Sequence, residues 1–153
     1  MRKFIEQVLF AGTLGAIAMM PFGLAFRAVG LRIGHYGPKF AELYLAAPGP
    51  WANFAQHIVL GWVSAAPLAL VHLHRRSLST TTLLGAIYGA LYYVTVNSLA
   101  LPVFFGDPLP WTLGVAVVLP SLCIHVVFGM AVALTVRSVQ RKQRRRERHA
   151  NFQ

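Results

Sequence analysis

The apolar residues of the chain fall into four long blocks, which are separated by short polar or proline-rich segments. The blocks cover residues 8–26, 54–73, 83–105 and 113–136. Each block has about the 20 residues that an α-helix needs to cross roughly 30 Å of hydrocarbon. The pattern predicts an all-α integral membrane protein, with four transmembrane helices in a single membrane domain (residues 1–136) and a basic cytoplasmic tail (residues 137–153).

A shorter apolar pattern lies in the loop between the first two blocks. In the segment PKFAELYLAA, Phe40, Leu43, Tyr44 and Ala47 recur at helical spacing after Pro38, which suits a first helical position. We therefore expect a short interfacial helix in this first outer loop. The pattern is compatible with a passive surface helix and with a helix that caps a cavity.

Two short motifs occur twice. LGAI is found at residues 14–17 and 84–87, an offset of 70, and HIVLG at 57–61 resembles HVVFG at 125–129, an offset of 68. The similar offsets predict two tandem hairpins, made of spans one and two and of spans three and four, that enter the membrane in the same orientation. In so apolar a composition, chance matches are the alternative explanation.

Small residues spaced four apart accompany these motifs. Such spacing lets helix backbones approach closely, which drives helix association in lipid. The predicted helix-packing positions are Gly12, Ala16, Gly61, Ala65, Gly85, Gly89, Gly129 and Ala133. The same faces could support a homo-oligomer or a partner membrane protein.

Composition and charge agree with the membrane class and suggest an orientation. Hydrophobic residues make up 56% of the chain and charged residues 12%, about half of what a soluble domain contains. With the N-terminus inside, the inner segments hold 11 of the 14 lysines and arginines. Both termini are therefore expected in the cytoplasm, where such residues collect. A cleaved N-terminal signal peptide is the competing interpretation of the first 20 residues.

The tail RSVQRKQRRRERH contributes much of the formal net charge of +10. Because it directly follows a span, we expect it to bind anionic lipid headgroups at the cytoplasmic surface. A regulatory or partner-binding tail is the alternative. Nucleic acid is not an expected partner.

Polar side chains inside the spans identify one candidate site. His57, Asn97, Ser121 and His125 are predicted to lie near one depth in the outer half of the membrane, with the histidines on the packing faces. Ionisable residues within spans are costly and raise a functional hypothesis. Three interpretations stay open: hydrogen bonds that fix helix packing, a small-solute or proton pathway, and metal or haem ligation.

Signatures of catalysis are missing. Every Asp and Glu lies in a flank or a loop, and the chain has no paired carboxylates, phosphate-binding glycine loop or Ser/His/Asp set. The lone Cys123 has no CxxC context. No catalytic residue, metal site or cofactor is expected.

The proline-rich segment LPVFFGDPLPW, which leads to IHVVFG, together with a histidine early in spans two and four, resembles the YagU-like bacterial inner-membrane proteins. The resemblance covers the chain from Phe54 onward and implies a bacterial inner-membrane location, with no catalytic residue. We therefore expect a non-enzymatic structural or accessory membrane protein. Small-solute or proton transport is the alternative, and a haem-binding redox protein is a more distant one.

Overall fold

The computed structural model describes residues 1–33 and 36–150, which form helices joined by turns and short loops, with no β-strand among them. The helices are α1 (Arg2–Ala28), α2 (Tyr36–Ala41), α3 (Pro50–Ala69), α4 (Leu78–Tyr92), α5 (Leu101–Phe105) and α6 (Val115–Ala150). A π-helical segment, Tyr93–Ala100, joins α4 to α5 without a break, and single 3₁₀ turns occupy Leu73–Arg75 and Pro110–Leu113. Three helices are long and apolar enough to cross a membrane: α1, the continuous run Leu78–Phe105, and α6.

The second apolar block forms a helix with shifted ends. The predicted span covers residues 54–73, whereas α3 begins at Pro50 and ends at Ala69. Pro50 begins the helix because proline has no N–H to lose in the first turn, and Leu73 instead lies in a buried 3₁₀ turn. Although α3 has 20 residues, it is not among the three strongly apolar helices. Polar residues concentrate in its first two turns, at Asn53, Gln56 and His57.

The short helix of the first loop is also smaller than predicted. The expected helix covers residues 38–47, but α2 ends at Ala41. The next amides, of Leu43 and Tyr44, bond to carbonyls three residues earlier, which tightens the chain into turns. Gln56 of α3 holds this segment, since it donates to the carbonyl of Gly37 (2.6 Å) and accepts from the Tyr44 hydroxyl.

The last helix continues far beyond the predicted end of the fourth span at residue 136. Most of the basic tail is therefore the straight continuation of α6, which ends at Ala150, while residues 151–153 of the tail lie outside the described part of the chain. Val136, Gln140 and Gln143 are all buried on one face of this extension. That face packs against α1, so tertiary contacts stabilise helix in a segment rich in like charges.

The predicted small-residue faces form the closest helix contacts. α1 packs on α3 and α6, and α4 packs on α6. A Cβ on Gly12 would lie 2.6 Å from the carbonyl oxygen of Gly61, and a Cβ on Gly85 would lie 2.6 Å from that of Gly129. Gly89 and Ala133 belong to the second contact and Ala16 to the first. Backbone is thus in contact with backbone at both crossings.

The two crossings do not follow the LGAI motif. That motif pairs Gly15 with Gly85, yet a Cβ on Gly15 would meet Val132 and Phe128 of α6, whereas Gly85 lies against Gly129. At the α1–α3 crossing, Gly12 has the place that Gly85 has at the α4–α6 crossing. Gly12 lies three residues before Gly15, which is the residue that the LGAI motif aligns with Gly85. The tandem repeat therefore stays a prediction, although each proposed hairpin does contain a glycine crossing.

The core lies between the glycine crossings and the end of the bundle that carries both described termini, here called the terminal end. Its buried members are Ala11, Ala65, Leu68, Ala69, Leu73, Phe128, Val132, Ala133 and Val136. A layer of three buried glutamines closes the core: Gln7 donates to Gln143 (2.8 Å), and Gln140 donates to Gln7 (3.1 Å). The opposite end, called the distal end, carries α2 and the 106–114 loop.

Candidate functional site

A cavity of about 400 Å³ opens in the distal half of the bundle. α1, α3, the π-helical segment and α6 form its walls, and α2 covers it through Tyr36, Pro38 and Phe40. The polar or charged wall residues are Arg27, His57, Ser64, Tyr92, Asn97 and His125. Apolar side chains that include Met19, Met20, Leu60, Val96, Ile124 and Phe128 supply the rest. This combination of apolar walls and a few convergent polar groups is typical of small-molecule sites.

His125 is held by two hydrogen bonds that define its tautomer. Its Nδ1 lies 2.6 Å from the carbonyl oxygen of Ser121, which can only accept, so Nδ1 carries the proton. In the neutral ring Nε2 is then an acceptor, and it receives the amide N–H of Asn97 at 2.9 Å. The rings of Tyr92 and Tyr93 pack on the imidazole, with centroids 6.0 and 5.5 Å away. The ring is fixed in position and orientation.

His57 has the opposite tautomer. Its Nε2 lies 3.1 Å from the carbonyl oxygen of Ala16, so this nitrogen donates across the α1–α3 contact and Nδ1 is the acceptor. The bond runs from the same crossing at which Gly61 meets Gly12. His57 therefore combines a packing contact with a place in the cavity wall.

Asn97 reaches His125 from a widened turn of helix. The eight-residue π-helical segment ends just before Pro102, which has no N–H to bond the carbonyl of Ser98 and whose ring crowds that carbonyl. Short π-helical stretches are rare and often occur at functional sites. Two buried hydroxyls in this segment, of Tyr93 and Ser98, have no hydrogen-bond partner among the described residues.

A second chain of hydrogen bonds links α3 to α4 at the cavity wall. The Ser64 hydroxyl donates to the Tyr92 hydroxyl (2.8 Å), and the Tyr88 hydroxyl donates to the Ser64 carbonyl. Aromatic residues in an apolar block look like core residues, so sequence reasoning missed these tyrosines. The only available signal was their spacing, because Tyr88 and Tyr92 are four residues apart and share a helix face.

A smaller cavity of about 260 Å³ lies on the other side of His125 and Asn97. Tyr36, Tyr93, Asp107 and Ser121 help to line it. The two cavities therefore share the Asn97–His125 pair as a common wall.

The cover over both cavities is tied down at its outer edge. Lys39 of α2 pairs with Asp107 (2.6 Å), and Tyr36 stacks on Phe105 with ring centroids 5.9 Å apart. Burial raises the pKa of Tyr36, and the carboxylate of Asp107 raises it further, so the phenol keeps its proton at neutral pH. Helix α2 is thus a cap, which is one of the two roles compatible with its sequence pattern.

The structure brings three of the four predicted site residues into the larger cavity: His57, Asn97 and His125. Ser121 lies in the wall of the smaller cavity, and its backbone carbonyl is what holds His125. Among the described residues no group of three or more His, Cys, Asp or Glu is arranged to hold a metal ion. His125 could coordinate a metal through Nε2 only by releasing Asn97.

No known protein-family model matches the chain, and no curated protein or solved structure does. The resemblance to YagU-like proteins therefore stays a prediction.

Proposed function

We propose that the chain crosses the bacterial inner membrane four times, with both termini in the cytoplasm. The supporting contacts lie at the terminal end, where Lys3 pairs with Glu147 and Gln7 bonds to Gln143. If both termini lie on one side of the membrane, the number of crossings must be even. Three helices are already long and apolar enough to cross, so α3 would be the fourth. Its 20 residues span about 30 Å, and the chain after it returns to the terminal end, where the Val71 carbonyl accepts from Gln140 (2.9 Å).

This topology predicts a labelling pattern in intact spheroplasts. In a Cys123→Ala background, a membrane-impermeant maleimide should label the Glu42→Cys variant at once, because Glu42 is exposed in the first outer loop. The Ser79→Cys variant, at the start of α4, should react only after the membrane is disrupted. Equal labelling of both variants in intact spheroplasts would refute the four-span arrangement.

We further propose that the protein binds a small molecule in the distal cavity, as a carrier or transport component and not as an enzyme. The observation that carries this proposal is the convergence of His57, Asn97 and His125 on one space of about 400 Å³. That volume falls within the range of small-molecule sites. A site used only for helix packing would be expected to fill with side chains, since protein interiors are close-packed.

The wall chemistry favours a ligand with an apolar body and one or more hydrogen-bonding groups. In the cavity wall, Nδ1 of His57 is an acceptor, and the Asn97 amide can donate and accept. The Ser64 hydroxyl, whose proton bonds to Tyr92, can accept as well. Met19, Met20 and Phe128 offer adaptable apolar surface for the remainder of the ligand. The cavity lies in the distal half of the bundle, which is the outer half in the proposed topology, so the ligand would enter from the outer side.

The proposal requires that water and small solutes reach the cavity. Ile124 and Ser98 are both buried, at 5% and 1% exposure, but only Ile124 lines the cavity. In the Cys123→Ala background we expect the Ile124→Cys variant to react with 2-aminoethyl methanethiosulfonate at least ten times faster than Ser98→Cys, because the charged reagent needs a wet path and a thiolate. Mass spectrometry of the purified protein measures both rates. If both variants react at the same slow rate, solutes do not reach the cavity. The histidines would then serve only in helix packing, and a binding role would be contradicted.

A further inference from the structure

A strongly basic groove of about 540 Å³ lies at the terminal end, between the basic extension of α6 and the 3₁₀ turn that carries His74. Six of its lining residues are cationic: Arg137, Arg141, Lys142, Arg144, Arg145 and Arg148. His74 and Ser138 complete the lining, and none of these residues is acidic. Helix α6 lines both this groove and the distal cavity, and Arg137 follows Phe128 by nine residues, about 14 Å along the helix axis.

The acidic residues at this end of the protein face another way. Glu147 pairs with Lys3 of α1, and Glu6 accepts a hydrogen bond from Gln143 (3.1 Å). Both carboxylates therefore lie along the α1–α6 contact and do not line the groove. Glu147 also interacts with Arg144 at the edge of the groove, but no acidic residue lies among the cations that line it.

This arrangement is unfavourable for an isolated helix. Arg137, Arg141 and Arg145 follow one another at a spacing of four, and like charges at that spacing destabilise a helix. A simple solvated helix usually alternates its charges. The contacts of Gln140 and Gln143 hold the segment helical in spite of the repulsion, so the cations are presented together in a fixed array.

Two further contacts organise the groove. The guanidinium of Arg137 donates from Nε to the carbonyl of Arg76 (3.2 Å), which fixes its direction. His74 lies on the facing wall with its Nδ1 bonded to the Gln140 side chain at 3.2 Å. The other ring nitrogen, Nε2, is buried and has no partner among the described residues. It offers an acceptor to any ligand that carries a hydroxyl.

We propose that this groove binds phosphate groups. Guanidinium groups match phosphate oxygens in paired, charge-assisted hydrogen bonds, and arginine exceeds lysine here by five to one. A hydrogen phosphate also has the hydroxyl that His74 can accept. The phosphate belongs either to an anionic lipid headgroup of the inner leaflet or to a soluble phosphate ester, and the site does not depend on the function proposed for the distal cavity.

The first arm of the test uses the full-length protein in phosphatidylcholine nanodiscs with inorganic pyrophosphate as the probe, measured by titration calorimetry. We expect the double variant Arg141→Gln/Arg145→Gln to bind at least tenfold more weakly than the wild type. The matched control is Arg2→Gln/Arg146→Gln, which removes the same charge from the same end but outside the groove lining. The control should stay within about twofold of the wild type.

The second arm uses nanodiscs with 30% phosphatidylglycerol and counts retained lipid by native mass spectrometry. Pyrophosphate binding that only the groove variant loses identifies a soluble ligand. If pyrophosphate does not bind, and only the groove variant fails to retain phosphatidylglycerol, the ligand is the lipid. If neither probe binds, or if both double variants weaken binding equally, the attraction is diffuse and the proposal is wrong.

Discussion

The Gln140→Met variant is expected to lose about 2–4 kcal/mol of unfolding free energy, because each buried polar group left without a partner costs about 1–3 kcal/mol. The Gln140 side chain donates to Gln7 and to the Val71 carbonyl, and it accepts from the backbone N–H of His74. Methionine keeps the length and flexibility of glutamine but makes none of these bonds. Reversible unfolding in SDS, followed by circular dichroism, measures the loss.

The matched control is Arg146→Met, which makes the same type of change at an exposed position of the same helix. We expect its unfolding free energy to stay within about 0.5 kcal/mol of the wild type. A similar loss in both variants would mean that the terminal part of α6 is not anchored by the glutamine layer. The fixed array of cations in the basic groove would then lose its support.

The Gly129→Ala variant is expected to lose about 1–3 kcal/mol, which is the usual cost of overpacking a close contact. The added Cβ would lie 2.7 Å from the amide nitrogen and 2.9 Å from the Cα of Gly89, and it would also press on the carbonyl of Gly85. These neighbours are backbone atoms, so the two helices must move apart. The melting temperature of the protein in dodecylmaltoside measures the effect.

Gly23→Ala provides the comparison for this substitution. Gly23 also lies within a helix, but the nearest atom to an added Cβ is the Ile33 Cδ1 at 3.8 Å, an ordinary contact. Since alanine is favoured over glycine in a helix by about 1 kcal/mol, we expect no loss of stability there. Equal melting temperatures for the two variants would show that the α4–α6 crossing tolerates a wider spacing.

The helical membrane fold was predictable from the sequence because apolar blocks of about 20 residues are typical of transmembrane helices. The blocks located α1, the run that ends at Phe105, and the apolar part of α6. The third block and the helical run both end at Phe105, and Gly106 follows with a positive φ of 67°. The ends of α3 differ from those of the second block by four residues each, since Pro50 and the 3₁₀ turn at Leu73 act through local backbone geometry, which block hydropathy does not detect.

The helical tail was not foreseen for a different reason. Gln140 and Gln143 sit among arginines, where a polar residue suggests solvent. Their burial depends on Gln7, which is more than 130 residues away in the chain. Arg, Lys and Gln favour a helix by themselves, but tertiary contacts hold this segment against α1 and place the basic groove beside His74.

The candidate site was predicted in part. A histidine in an apolar block stands out by composition, and the shared motif linked His57 to His125. The contacts that hold each ring were not predictable. The acceptors are the backbone carbonyls of Ala16 and Ser121, and the type of a residue does not show whether its carbonyl accepts from a side chain. The π-helical segment that brings Asn97 to His125 depends on the backbone around Pro102.

One continuous helix, α6, takes part in both proposed sites, since His125 lines the distal cavity and Arg141 lines the basic groove. The two residues are 16 positions apart, about 24 Å along the helix at 1.5 Å of rise per residue. Near the cavity, the backbone of α6 lies against Gly85 and Gly89 of α4, from the carbonyl of His125 to that of Gly129. A shift of α6 along its axis would therefore move the cavity wall and the groove cations together.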